Sequence, residues 1–309
     1  MLSFCIKTNN QSDILKLTNY ISEIQLDNIM FLTKNFSKYT NIIVHYLGND
    51  TEIFYEYFAN TLCDFIIDNY ESNILNDILV SNFFYFDKTE LSEIKRICDS
   101  MLNNVPLNKI LPFQQLKSET ANDEKISISS RKDLLINNIL SYLKSSKSMI
   151  LNGFLRFRIY DYINFLNDLV DSAVNEFVIN KEYSEFIELL KLYIDSKPPR
   201  SELIHLIYIN EESILLDKNR NIISLSHNNL DIPYLSDISF SSNDYALNSL
   251  LSLLPKKLII HTSDIEDDFV NTLKLIFNSK VTICKHCYIC DTYKLVESKK
   301  EKNRKSLNI

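Results

Sequence analysis

The chain has 309 residues, of which 45% are hydrophobic and 24% charged, and its net charge is −7 at neutral pH. That is the balance of a soluble globular protein with room for more than one core, and it argues against a generic polyanion binder. No run approaches the ~18 apolar residues of a membrane-spanning helix, and two glycines, Gly48 and Gly153, are too few for a phosphate loop or a dinucleotide fingerprint, which need several to bring the backbone against phosphate.

The N-terminus, "MLSFCIKTNNQSD", lacks the basic region, apolar region and cleavage site of a signal peptide, so the expected location is cytoplasmic. Within it "LSFCIKT" reads as a strand. A helix follows from about Ser12, with Ile14, Leu15, Leu17, Ile21 and Ile24 as its apolar stripe. "IMFLTKNF" and "NIIVHYL" are further strands, and residues 1–48 form an expected β-α-β-β unit. "GNDT" turns into a helix with Asp50 or Thr51 as its N-cap. Residues 49–104 read as helical: "EIFYEYFANTLCDFIIDNY" carries Phe54, Phe58, Leu62, Phe65 and Ile66, and "TELSEIKRICDSML" opens with Thr89 and has Glu93 as a capping partner. The aromatic connector "NFFYF" is read as a core-filling plug rather than a platform for stacking bases. Residues 105–127, with two prolines and "KSETANDEK", are read as a linker.

Residues 128–200 form the central helical region. "RKDLLINNILSYLKSSKSMI" is one helix. Ile159, Ile163, Leu166, Val170, Ala173 and Phe177 then mark one face of another, and Phe186, Leu190 and Tyr193 continue on a further helix stopped by Pro198 and Pro199. After the prolines, "ELIHLIYIN", "SILLDK" and "NIISLS" read as a meander. "DYALNSLLSLLP" is a helix, "KKLIIHT" a strand, "DIEDDFVNTLKLIFNSK" an amphipathic helix and "VTIC" a last strand. This order makes residues 201–291 a C-terminal α/β domain with a right-handed βαβ unit. Residues 292–309 are basic and read as a disordered tail. The expected fold class is therefore α+β in three parts: a small N-terminal α/β unit, a central helical region and a C-terminal α/β domain.

Three of six cysteines fall in "VTICKHCYICD" as Cys284, Cys287 and Cys290. In a reducing compartment a clustered set is metal-binding, redox-active or packed, and disulfides are disfavoured. If the strands of the βαβ unit are adjacent and parallel, His261 and Cys284 both lie at their carboxyl ends, the edge where open α/β sheets bind ligands. Cys284, Cys287, Cys290 and His261 can then form a Cys₃His zinc site. His286, beside Cys287, is a poorer companion because neighbouring side chains diverge. An iron–sulfur run would need a fourth cysteine and a proline that are absent. A Cys-x-x-Cys redox pair would need a helix N-terminus to lower a thiol pKa. Cys5, Cys63 and Cys98 stand alone in apolar settings and read as small buried hydrophobes.

Arginine is scarce, and "RFR" alternates it with an aromatic. Arg156, Arg158 and Arg200 are candidates for an anion or partner site, with internal pairing to Asp161, Asp168 or Glu185 as the plainer alternative. Asp168 and Asp171 read as a solvated helix face, and His205 as a core histidine. No serine–histidine–carboxylate set makes a nucleophile credible, and no catalytic residue is assigned.

The block "FLRFR…DYINFL…AVNEFVINKEYSEFIELLKLYID…P" resembles the YtxC-like sporulation protein family of spore-forming Firmicutes. "NFFYF", "LLPKKLIIH" and "VTICKHCYIC" are similar to its other segments, so the likeness runs over residues 50–290. The resemblance implies a cytosolic protein with a role in sporulation and supplies neither a reaction nor catalytic residues. The leading expectation is a non-enzymatic protein acting through protein partners, with a structural zinc ion. The alternatives are a thiol-redox or metal-dependent enzyme centred on the cysteines, and a nucleic-acid-binding module, which the net charge weakens.

Overall fold

The computed structural model describes residues 2–103, 128–223 and 241–292. The expected linker lies outside them, as does the tail from residue 293. The fold is α+β, and its contacts divide the chain into two units, Met1–Asn180 and Lys181–Ile309.

The N-terminal unit is built on a four-stranded sheet of order β2-β3-β1-β4. The strands are β1 (Leu2–Thr8), β2 (Ile29–Asn35), β3 (Thr40–Tyr46) and β4 (Ser148–Ile150), with α1 (Gln11–Ser22) between β1 and β2. β3 pairs antiparallel with both β1 and β2, and β4 joins β1 in parallel. Alternation along β1 and β3 sends Phe4, Ile6, Ile42, Val44 and Tyr46 to one buried face. That face meets α2 (Thr51–Ile66): Phe4 meets the Phe58 ring edge-on, and Tyr46 stacks on Phe54 with centroids 5.3 Å apart. Asp50 caps α2 by accepting from the Glu52 and Ile53 amides.

A single π-helical turn, Ile67–Glu71, leads into α3 (Ser72–Asn82) and α4 (Lys88–Leu102). The cap of α4 is Asp87, in a capping box with Glu90, and not Thr89 with Glu93. The aspartate side chain accepts from the Glu90 amide, while Thr89 only donates to that same aspartate. "NFFYF" fills the core only in part. Phe83 and Phe86 pack on the hydrophobic cluster, with Phe86 edge-on to Phe177, whereas Phe84 and Tyr85 face solvent.

α5 (Ile128–Ser145) ends before the "SMI" segment assigned to it from sequence; those residues are β4. Three residues are too few to show a strand period, and only the parallel partner β1 defines them. After α6 (Leu151–Phe157), one helix, α7, runs unbroken over Tyr160–Ser196, where the pattern had suggested two. It contains no glycine or proline, and residues 179–184 continue the same helix, with Asn180 buried and Lys181 and Glu182 exposed.

The C-terminal unit has a four-stranded sheet of order β6-β5-β7-β8, from β5 (Ser201–Ile209), β6 (Glu212–Leu216), β7 (Pro255–His261) and β8 (Val281–Cys284). β5 and β6 form a hairpin, and β5, β7 and β8 run parallel. Of the third run of the meander, Ile222 makes one bridge to Leu216 and residues 224–240 lie outside the described set. α8 (Ser242–Leu253) and α9 (Asp268–Phe277) make the crossovers, each opened by a side-chain cap, Ser241 and Asp267. Ile204, Leu206, Tyr208, Leu258 and Ile260 join residues of α8, α9 and the last turns of α7 in one core. Alternation turns His205, Ile207, His261 and Cys284 to the opposite face.

Candidate metal centre

The site is assembled at the carboxyl ends of β7 and β8. His261 closes β7 and Cys284 closes β8, and the two are direct partners in the parallel ladder. Three residues bend after Cys284, and the chain then turns helical over 288–292. The Asp291 amide donates to the Cys287 carbonyl at 3.0 Å, which closes the turn. The three-residue spacing then puts Cys287 and Cys290 on one side of it. Ile289, from the same turn, packs in one buried cluster with Ile207 and Leu216 and anchors the loop to the sheet.

The outcome is convergence of one ligand atom each from His261, Cys284, Cys287 and Cys290, all within 4.8 Å of one another. The Cys287 and Cys290 sulfurs are each 3.4 Å from His261 Nδ1, Cys287 is 3.7 Å from Cys290, and Cys290 is 4.0 Å from Cys284. A regular tetrahedron with Zn–S of about 2.3 Å and Zn–N of about 2.0–2.1 Å has edges of about 3.8 Å between sulfurs and about 3.6 Å from sulfur to nitrogen. The observed edges match single-ion spacing. They exceed the roughly 2 Å of a disulfide, and all six cysteines are free thiols. A [4Fe–4S] cluster, which seats each cysteine on a different iron, needs its sulfurs farther apart than the ligands of one ion.

His261 is 3% exposed, and its other ring nitrogen is occupied. Nε2 lies 2.9 Å from Nδ1 of His205, and the two rings stack with centroids 5.2 Å apart. Burial first, and the charge of His205 second, depress the His261 pKa to about 4; burial and then Arg220 depress that of His205. Both rings are therefore neutral at neutral pH, the form that ligates metal. Ligation through Nδ1 requires the proton on Nε2, where it donates to His205. This is the outer hydrogen bond that metal-binding histidines need, here supplied by a second imidazole. Sequence reading had placed His205 in the core and missed this pairing. Its signal is the β5–β7 register, which sets Ile207 opposite His261 and His205 opposite Ile259 on one face of the sheet.

The thiols do not behave alike. Burial raises Cys287, but the amides of Cys290 and Ile289 and the thiols of Cys284 and Cys290 outweigh it, and the net effect is a lowered pKa. Burial, with Cys287 and Cys284 as hydrogen-bonding neighbours, pushes Cys290 up to about 12. Of the two, Cys287 is therefore the thiol that gives up its proton more readily. A cation binding there must displace the remaining thiol protons.

His286 is exposed and stays outside the group. Arg156 and Arg158 lie at the end of α6 in the N-terminal unit, both exposed, with Arg158 over the Tyr142 ring. Arg200 is in the C-terminal unit, where its Nη1 donates to the Ser252 carbonyl at 3.3 Å. Asp161 accepts from Asn138 and not from an arginine, and Asp168 and Asp171 are exposed on α7. No helix among the described residues is long and apolar enough to cross a membrane.

The YtxC-like family matches residues 56–282 of the chain. That span includes His205 and His261 and stops two residues before Cys284, short of the end the sequence likeness suggested. The uncharacterized protein YtxC of Bacillus subtilis (strain 168) is 22% identical over 221 residues, which cover 71% of this chain and 73% of that protein. No solved structure matches the chain. With the match extending over more than half of its length, the chain belongs to the YtxC-like family.

Proposed function

We propose that the C-terminal unit holds one structural zinc ion on Cys284, Cys287, Cys290 and His261, and that the protein serves sporulation in the cytoplasm as a non-enzymatic protein acting through protein contacts. One observation carries the metal reading: four soft or borderline ligand atoms meet at tetrahedral spacing, with sulfurs in the majority. Four protein ligands close the coordination sphere and leave no position for water or substrate, which is the arrangement of a structural ion and not a catalytic one. The sporulation role rests on the family likeness. Zinc would pin the short 285–292 segment to the sheet edge, where it buries few residues and has few contacts of its own to hold it.

The test is elemental analysis of protein purified without a metal-affinity tag, beside a Cys284→Ser/Cys287→Ser variant. The reading expects about one zinc per chain, absent from the variant together with a drop in thermal midpoint. Metal-free protein with ordinary thiol titration sinks it. A strongly acidic Cys287 thiol without metal would favour thiol-redox chemistry, since a thiolate is the form that exchanges disulfides.

A further inference from the structure

An open cleft of ≈ 690 Å³ lies beside the cysteine loop, over the carboxyl ends of β7 and β8. Arg220, Lys285, His286 and His205 are among the residues that line it, and among the described residues no carboxylate does. In a chain with 40 Asp and Glu against 33 Lys and Arg, such a lining is unexpected. Lys218 is paired to Glu202 and Lys280 to Asp195 within this same unit. Among the described residues, the side chains of Arg220, Lys285 and His286 have no ion-pair or hydrogen-bond partner. Arg220 is nonetheless held in place. It sits in the left-handed region (φ 68°) of a turn in which Asp217 accepts from the amides of Asn219, Arg220 and Asn221. Ile259, Ile265 and Ile283 supply apolar wall, three of the candidate metal ligands, His261, Cys284 and Cys287, also line the cleft, and the Tyr288 ring is 74% exposed.

We infer that this cleft binds a small oxyanion, a phosphate- or carboxylate-bearing molecule with an apolar body, through Arg220, Lys285 and His286. Its volume falls in the range of small-molecule sites, roughly 300–1,000 Å³, and the carboxyl edge of parallel strands is where open α/β sheets seat ligands. Arg220 supplies a forked donor for two oxygens and Lys285 a point charge. The isoleucines and Tyr288 take the apolar part. The inference goes beyond the metal reading and concerns residues beside its ligands, Lys285 and His286 in the cysteine loop and Arg220 in the turn after β6.

The experiment titrates phenyl phosphate, benzoate, inorganic phosphate and a short oligothymidine into the full chain, observed by amide NMR shifts. The expected result is saturable binding of phenyl phosphate or benzoate, tighter than inorganic phosphate; the better of the two identifies the oxyanion. Arg220→Asn, which preserves the left-handed turn, combined with Lys285→Gln weakens that binding ~10–100-fold. Lys256→Gln, a cation outside the cleft, leaves it unchanged. Absence of saturable binding, insensitivity to the double variant, or equal weakening by Lys256→Gln overturns the inference. Oligothymidine binding more tightly through the same two residues also overturns it, in favour of single-stranded nucleic acid. Zinc is quantified in the same samples. Binding without zinc removes the metal reading alone, and zinc without binding removes the cleft alone.

Discussion

Nδ1 of His205 and Nε2 of His261 are 2.9 Å apart, so one imidazole fixes the proton position of the other. His261 can offer Nδ1 to a cation only while its proton sits on Nε2, and His205 is the acceptor that keeps it there. Replacing His205 by Leu should weaken zinc affinity ~10–100-fold in a chelator competition. His205→Asn, which can still accept at that point, should recover much of it. The ¹⁵N shifts of His261 separate this positioning role from packing: the Leu variant should lose the single tautomer, and an unchanged tautomer would contradict the account.

The same two rings set a pH dependence. In the unfolded chain both histidines titrate near 6.5, whereas burial holds His261 at about 4 and depresses His205 in the folded protein. Below about pH 6.5 the unfolded state binds more protons, so stability is full above that pH and falls as the solution is acidified towards 4. Urea midpoints of metal-free protein should decline across this window. His261→Gln should flatten much of the decline, and a pH-independent midpoint would refute the assignment of neutral rings.

A second buried polar group lies in the N-terminal unit. Glu71, placed inward by the π-turn, accepts from Arg131 Nη1 at 3.0 Å and from the Tyr162 hydroxyl. Burial pushes its carboxyl up, against the opposing effects of Tyr162 and Arg131. Arg131 is itself buried and its Nε has no partner among the described residues. Glu71→Ala leaves that guanidinium without a counter-charge and should cost about 3–5 kcal/mol in denaturant unfolding. Glu71→Leu with Arg131→Met removes both charges and should restore most of the loss. If the pair of changes proves additive, the ion pair is not the reason for the cost.

Gly48 is required by its neighbour and not by its backbone, since its φ is not positive. A Cβ there would run into the Tyr46 ring, which is buried and stacked on Phe54. Gly48→Ala should destabilise by about 1–3 kcal/mol through displacement of that ring. In a Tyr46→Ala background the cost should largely vanish, and a cost that persists would point to the backbone instead.

What the sequence made legible follows from the range of the interactions. The βαβ order was readable because β7, α9 and β8 are consecutive and each carries a local pattern; it placed His261 and Cys284 at one edge before any coordinates. The helix α2 announced itself by its apolar period and its Asp50 cap, and α9 by its amphipathic pattern. His205 was misjudged because its role depends on a β5–β7 register that no local pattern encodes. β4 was hidden because three residues become a strand only when β1 is beside them. The Glu71–Arg131–Tyr162 set joins residues up to 91 positions apart, and each looks like an ordinary polar residue on its own helix. The oxyanion cleft was invisible for the same reason: Arg220 and Lys285 meet only through the fold.

X-ray absorption at the zinc edge of protein purified without a metal-affinity tag reads the ligand set at Cys284, Cys287, Cys290 and His261. The account predicts about one zinc per chain, bound by three sulfurs at about 2.3 Å and one nitrogen at about 2.0–2.1 Å. Metal-free protein, or zinc surrounded by oxygen and nitrogen alone, would contradict it.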